Sequence, residues 1–99
     1  MSSGLAGPYY NWDPKKAASN FRKHGVTFPQ AVDALNDPMA LFLNDVAHSE
    51  NEFRQWCIGM AEPGVLVVAF TTREGDNDRI IMARKANRGE WELYNEKQQ

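Results

Sequence analysis

Two turn signals set close together constrain this chain more than any other feature. Glu62-Pro63-Gly64 and Gly75-Asp76-Asn77-Asp78 interrupt an apolar and aromatic stretch, leaving three runs at residues 53–60, 65–73 and 79–85. Runs joined this tightly pair antiparallel, because parallel strands need a crossover of roughly a dozen residues or more. The middle run holds six uninterrupted apolar residues, 65–70, far short of the ~20 that a membrane helix needs. With 99 residues, 42% hydrophobic and 24% charged, the chain has enough apolar material for one core and is not composed like a disordered segment. Residues 1–8 read as a flexible leader, with one domain over 9–99. The leader has no basic flank followed by an apolar stretch, so a cytoplasmic protein is expected. The single cysteine, Cys57, cannot form an internal disulfide, and no His/Cys/Asp/Glu spacing resembles a ligand set. No metal and no cofactor are therefore expected.

Before the strand region the signals are helical. Residues 9–12 form a short aromatic run suited to a first strand. Asp13-Pro14 offers an N-cap and an N1 proline for a helix over 15–24, and Gly25 suits its C-terminal stop. Thr27 with Gln30 makes a capping box for a second helix, carrying Phe28, Ala31, Val32 and Leu35 at helical spacing until Asn36-Asp37-Pro38 stops it. A short strand is expected at 39–43. Asn87 and Glu90 form another capping pattern, predicting a last helix to about residue 97. The fold class is α+β: two N-terminal helices, an antiparallel sheet of about four to five strands and a C-terminal helix.

The formal net charge is −2, yet Arg79, Arg84, Lys85 and Arg88 fall within ten residues that contain no acid. A mildly acidic chain can still carry one local positive patch. If Met60 faces Val65 across the first turn, Arg54 stands opposite Thr71. If Arg73 faces Arg79 across the second, then Arg54, Arg73, Arg79 and Lys85 share one face, and Arg84 lies on the other with Ile80 and Met82. A one-residue change in either hairpin reverses part of this assignment. Three arginines near one end of neighbouring strands need acids or an anionic ligand between them. Glu52, Glu74, Asp76 and Asp78 could supply the acids, so an ion-pair network and an anion site both remain open.

Several stretches together resemble a known family. Trp12-Asp13-Pro14-Lys15-Lys16, Asn20, Lys23-His24-Gly25-Val26, Phe28 and Ala31 are similar to the opening of the BrnT family. Glu52 and Arg54 with Ile58-Gly59, the strand 67–73, and Arg79-Ile80-Ile81 with Ala83-Arg84-Lys85-Ala86, Glu90 and Tyr94 continue the likeness, which runs from about Trp12 to Tyr94. The resemblance implies a RelE-like fold and a ribonuclease toxin of a bacterial type II toxin–antitoxin pair. It also implies a ribbon-helix-helix (BrnA-like) antitoxin in a two-plus-two heterotetramer, touching operator DNA only through that antitoxin and no membrane. Family members usually carry serine where this chain has Met82.

Metal-free RNA cleavage, which the resemblance implies, has the ribose 2′-oxygen attack phosphorus and expel the 5′-oxygen. Negative charge gathers on the phosphoryl oxygens, and arginine forks suit it because they bind phosphate bidentately and keep their charge. Arg84 and Arg54 are the first candidates for catalysis, followed by Arg73 and Lys85, the latter also a possible acid or base when desolvated. His24 is an acid–base candidate by residue type but sits at a helix C-terminus, so capping and acid–base roles both stay open. Arg79, Lys23, Arg88 and Tyr94 are the candidate RNA contacts, Tyr94 with packing as its other role. A non-catalytic module that binds antitoxin and contributes to operon autoregulation is the alternative.

Overall fold

The computed structural model describes residues 10–45, 53–72 and 78–98. The expected leader and the turn at 75–77 lie outside the described residues, as do Arg73, Glu52 and Glu74. The chain order is β1 (Tyr10–Asn11), α1 (Pro14–His24), α2 (Phe28–Leu35), β2 (Leu41–Asn44), β3 (Phe53–Ala61), β4 (Gly64–Thr72), β5 (Asp78–Lys85) and α3 (Arg88–Lys97).

Local chemistry sets the helix ends. The Asp13 carboxylate accepts from the Lys15 amide at 2.9 Å and Pro14 opens α1. Gly25 closes it at φ 71°, a left-handed conformation that glycine adopts without a Cβ penalty. Thr27 and Gln30 bond reciprocally at the start of α2, and Asn87 and Glu90 do the same for α3. Strand β2 starts two residues later than its apolar run. The Asp37 carboxylate accepts from the Met39 amide and the Asp37 carbonyl from that of Ala40, which ties residues 37–40 into a turn.

The sheet runs β1-β5-β4-β3-β2. Strands β2 to β5 pair antiparallel, whereas β1 joins β5 in parallel, Tyr10 opposite Asp78 and Asn11 opposite Arg79. The sheet is therefore mixed: α1 and α2 lie between β1 and the rest, which gives the chain the crossover that a parallel pair requires. Central β4 is buried on both faces, which explains its continuous apolar run. On one face Leu66, Val68, Phe70, Ile80 and Ala83 pack with Val26, Phe28, Ala31 and Leu35 from the α1–α2 layer. On the other, Ile58, Val65 and Val67 pack with Tyr94 of α3.

Beyond its short pairing with β1, the outer side of β5 is met by a side chain. Asn20, buried in α1, donates from Nδ2 to the Ala83 carbonyl at 2.8 Å and accepts the Ala83 amide at 3.1 Å. Its Nδ2 also donates to the Val26 carbonyl at 3.0 Å. One asparagine thus does the hydrogen bonding of a neighbouring strand.

Candidate functional site

The first hairpin has the expected register, with Met60 opposite Val65 and Arg54 opposite Thr71. The second does not. Thr71, not Arg73, faces Arg79, and the pairing jumps from Ala69–Met82 to Phe70–Ile80, so Ile81 is an extra residue on β5. Such a bulge inverts the alternation beyond it. The face assignment made from alternation alone is corrected accordingly. Arg84, opposite Val67, joins Arg54 and Arg79 on the α3 face, whereas Lys85, opposite Leu66, belongs to the α1–α2 face.

Three arginines therefore project from the α3 face, Arg54 on β3 and Arg79 and Arg84 on β5, on either side of β4. Arg54 and Arg79 flank Thr71, whose hydroxyl is buried and has no hydrogen-bond partner among the described residues. The Arg79 guanidinium donates to Asn11 Oδ1 at 3.1 Å, so the short β1 positions it. Arg84 stands at the foot of α3. Its Nη1 and Nη2 donate to the two carboxylate oxygens of Glu90, each at 2.8 Å, and Nη1 also reaches the Lys85 carbonyl at 3.3 Å. Glu90 Oε1 accepts the Asn87 amide as well, so the carboxylate that completes the α3 capping box also fixes the arginine. The hydrogen bond to Arg84 holds the Glu90 carboxyl below the usual carboxylate range, more than offsetting burial. With both Nη groups engaged end-on, the Nε–Nη2 side has no second partner among the described residues and is shaped for another two-pronged contact. Beside this pair, a groove of about 340 Å³ between α3 and the sheet is lined by Trp56, Ile58, Val67, Arg84, Glu90 and Leu93, and extends to Leu43.

Helix α3 is held over the groove at its other end too. The Tyr94 hydroxyl donates to Asp37, whose carboxylate also accepts the Met39 and Met60 amides, and Lys97 Nζ donates to the Ala40 carbonyl. Burial first, then the Asp37 hydrogen bond and charge, pushes the Tyr94 hydroxyl up to about 12. Burial would raise Asp37, but the bonds from Tyr94 and the two amides, with Lys97, outweigh it and hold this carboxyl low. A lowered carboxyl contributes stability above its unfolded value of 3.8, and the contribution disappears as pH falls through the folded value. Tyr94→Phe is expected to cost about 1–2 kcal/mol at neutral pH and to flatten the fall in stability below pH 4, measured by urea unfolding across pH.

A second cleft of about 300 Å³ lies at the β5 bulge, where Lys16, Ser19, Lys23 and His24 of α1 face Ile81 and Met82. Cys57 is buried, with burial first and the Asp37 charge second pushing its thiol up to about 12, so it is no nucleophile at neutral pH.

The family model "Ribonuclease toxin, BrnT, of type II toxin-antitoxin system" matches residues 12–90. This chain belongs to the BrnT family. A search of curated proteins gave no match. Among solved structures, the Brucella abortus ribonuclease toxin BrnT superposes with a TM-score of 0.59 at 22% identity, over 78% of this chain and 94% of that one. The superposition carries the BrnT fold to this chain.

In this BrnT-family chain the structure gathers Arg54, Arg79 and Arg84 on one face. Arg88 is on the surface of α3, paired with Glu92 at 3.2 Å. Lys23 and His24 line the second cleft, away from the Arg84 groove, and the Tyr94 hydroxyl is spent on Asp37. Glu90 as the partner of Arg84 and Trp56 as a groove wall were not singled out from sequence. The capping pattern did pick out Glu90, but nothing local says that a cap also reaches back across the strand–helix turn.

Proposed function

We propose that this chain is an endoribonuclease that cuts RNA without a metal, through 2′-oxygen attack, and thereby inhibits translation. The observation that carries the reading is the β5 bulge, which puts Arg84 on the same sheet face as Arg54 and Arg79, about four residues along the strands from them. Two guanidinium groups around a buried threonine hydroxyl that has no partner among the described residues, with a third opening onto a groove, suit a phosphodiester whose charge grows in the transition state. Arg73, next along the chain from β4, is assigned to the same phosphate-binding set. Trp56 and Leu93 give the groove apolar walls on which a base can rest. Lys85 is on the opposite face and is not assigned to this site.

The family's type II partnership supplies an antitoxin, which we take to be a ribbon-helix-helix protein binding two copies of this chain in the cytoplasm, with DNA contacts left to the antitoxin. The test is purified chain incubated with RNA in EDTA. Cleavage leaving 2′,3′-cyclic phosphate ends is expected, and Arg84→Ala is expected to slow it about a hundredfold, near the low end for losing one transition-state donor. Intact RNA at high protein concentration rejects the proposal. One observation favours the alternative of an antitoxin-binding module without nuclease activity: Arg84 is already held by a carboxylate, two residues from Met82, where the family resemblance would have a serine. The same assay decides between them.

A further inference from the structure

The cleft at the β5 bulge has no part in the chemistry just described, and its composition is distinctive. Helix α1 carries Lys15, Lys16, Arg22, Lys23 and His24 and no acidic residue, in a chain whose net charge is −2. Lys16, Ser19 and Lys23 recur at helical spacing on the side of α1 that faces Ile81 and Met82, and His24 completes the wall. Among the described residues, none of these four side chains has an ion pair or hydrogen bond. The buried Asn20 behind them has both its amide and its carbonyl engaged with backbone, so it is a wall rather than a ligand. The unspent donors in the cleft are two ammonium groups, a hydroxyl and an imidazole, with no carboxylate lining it.

The position is informative as well. Met82, on the rim, lies on β5 between Arg79 and Arg84, on the face those arginines share. The bulge that brings the arginines together also places Ile81 toward α1. Lys16 and Lys23 are about 10 Å apart along the helix axis, room for more than one phosphate group.

We infer that this cleft is a second phosphate-binding subsite, which holds the backbone of a single RNA strand as it leaves the arginine row across the edge of β5. Lys16 and Lys23 neutralise phosphates, while Ser19 and His24 donate hydrogen bonds. The inference rests on RNA as the substrate, as proposed above, but not on the chain cutting it.

The test is equilibrium binding of a fluorescent single-stranded 2′-O-methyl oligoribonucleotide, which lacks the attacking hydroxyl, across a salt series. Two lost phosphate contacts lower the log–log salt slope by about 1.4, which is about 25-fold in affinity between 1 M and 0.1 M salt. Lys16→Ala/Lys23→Ala is expected to show both changes. Lys15→Ala/Arg22→Ala removes the same charge from α1 outside the cleft, and is expected to change the slope by less than half as much. Equal effects from the two pairs would mean long-range charge only and would overturn the subsite, as would no effect from either. RNA binding unchanged in the cleft variant while binding of an acidic peptide falls would overturn it in favour of a protein partner. Because the oligonucleotide is not cut, a chain that fails the EDTA assay still gives a clear answer here.

Discussion

Asn20→Ala is expected to destabilise the chain by about 4–6 kcal/mol, although it removes one small polar side chain. Three buried backbone groups lose their partners together: the amide and carbonyl of Ala83, and the carbonyl of Val26. Each unsatisfied buried group costs about 1–3 kcal/mol, and no rotation of alanine restores them. Domains of this size have about 5–15 kcal/mol in total, so the variant sits near the folding threshold. Urea unfolding followed by far-UV circular dichroism measures the loss. A change below about 1 kcal/mol would mean that the β5 edge is satisfied some other way. The Arg84 site would loosen with it, since Ala83 is the next residue.

Gly59→Ala is expected to cost about 4 kcal/mol and to lower the melting temperature by about 15 °C or more. A Cβ on Gly59 would lie 2.2 Å from the Ala34 carbonyl oxygen and 2.9 Å from its carbon, both backbone atoms of α2. No side-chain rotation relieves that overlap, so α2 must lift from β3 and open the core around Phe28, Ala31 and Cys57. Ala61→Gly on the same strand, without such a contact, is the control, with a loss of about 1 kcal/mol. Equal stabilities for the two would show that α2 can shift freely, contrary to the close approach.

Much of the fold could be read along the chain because its signals are local. Asp13-Pro14, Thr27 with Gln30 and Asn87 with Glu90 each act within three residues, and all three start helices where expected. The turn at Glu62-Pro63 was legible as a turn, but the Met60–Val65 register it takes was only one of those the sequence left open. The bulge at Ile81 has no such signal. Ile80 and Ile81 are equally apolar, with no glycine to mark the extra residue, and only packing against α1 decides which one enters the core. That one residue changed the composition of the candidate site, bringing Arg84 in and turning Lys85 out. The parallel pairing of β1 was equally hidden, because two residues make too short a stretch for a pattern. Asn20 read only as part of a family likeness, since its partner is 63 positions away.

The outer side of β5 also bears on how the sheet can meet other chains. With β1 against its first residues and the Asn20 amide on both backbone groups of Ala83, much of that side is already paired. The opposite margin, β2, pairs among the described residues only with β3 and carries Phe42 and Leu43 half exposed. β-Augmentation of this sheet is therefore favoured on the β2 side, growing outward from Leu41–Asn44.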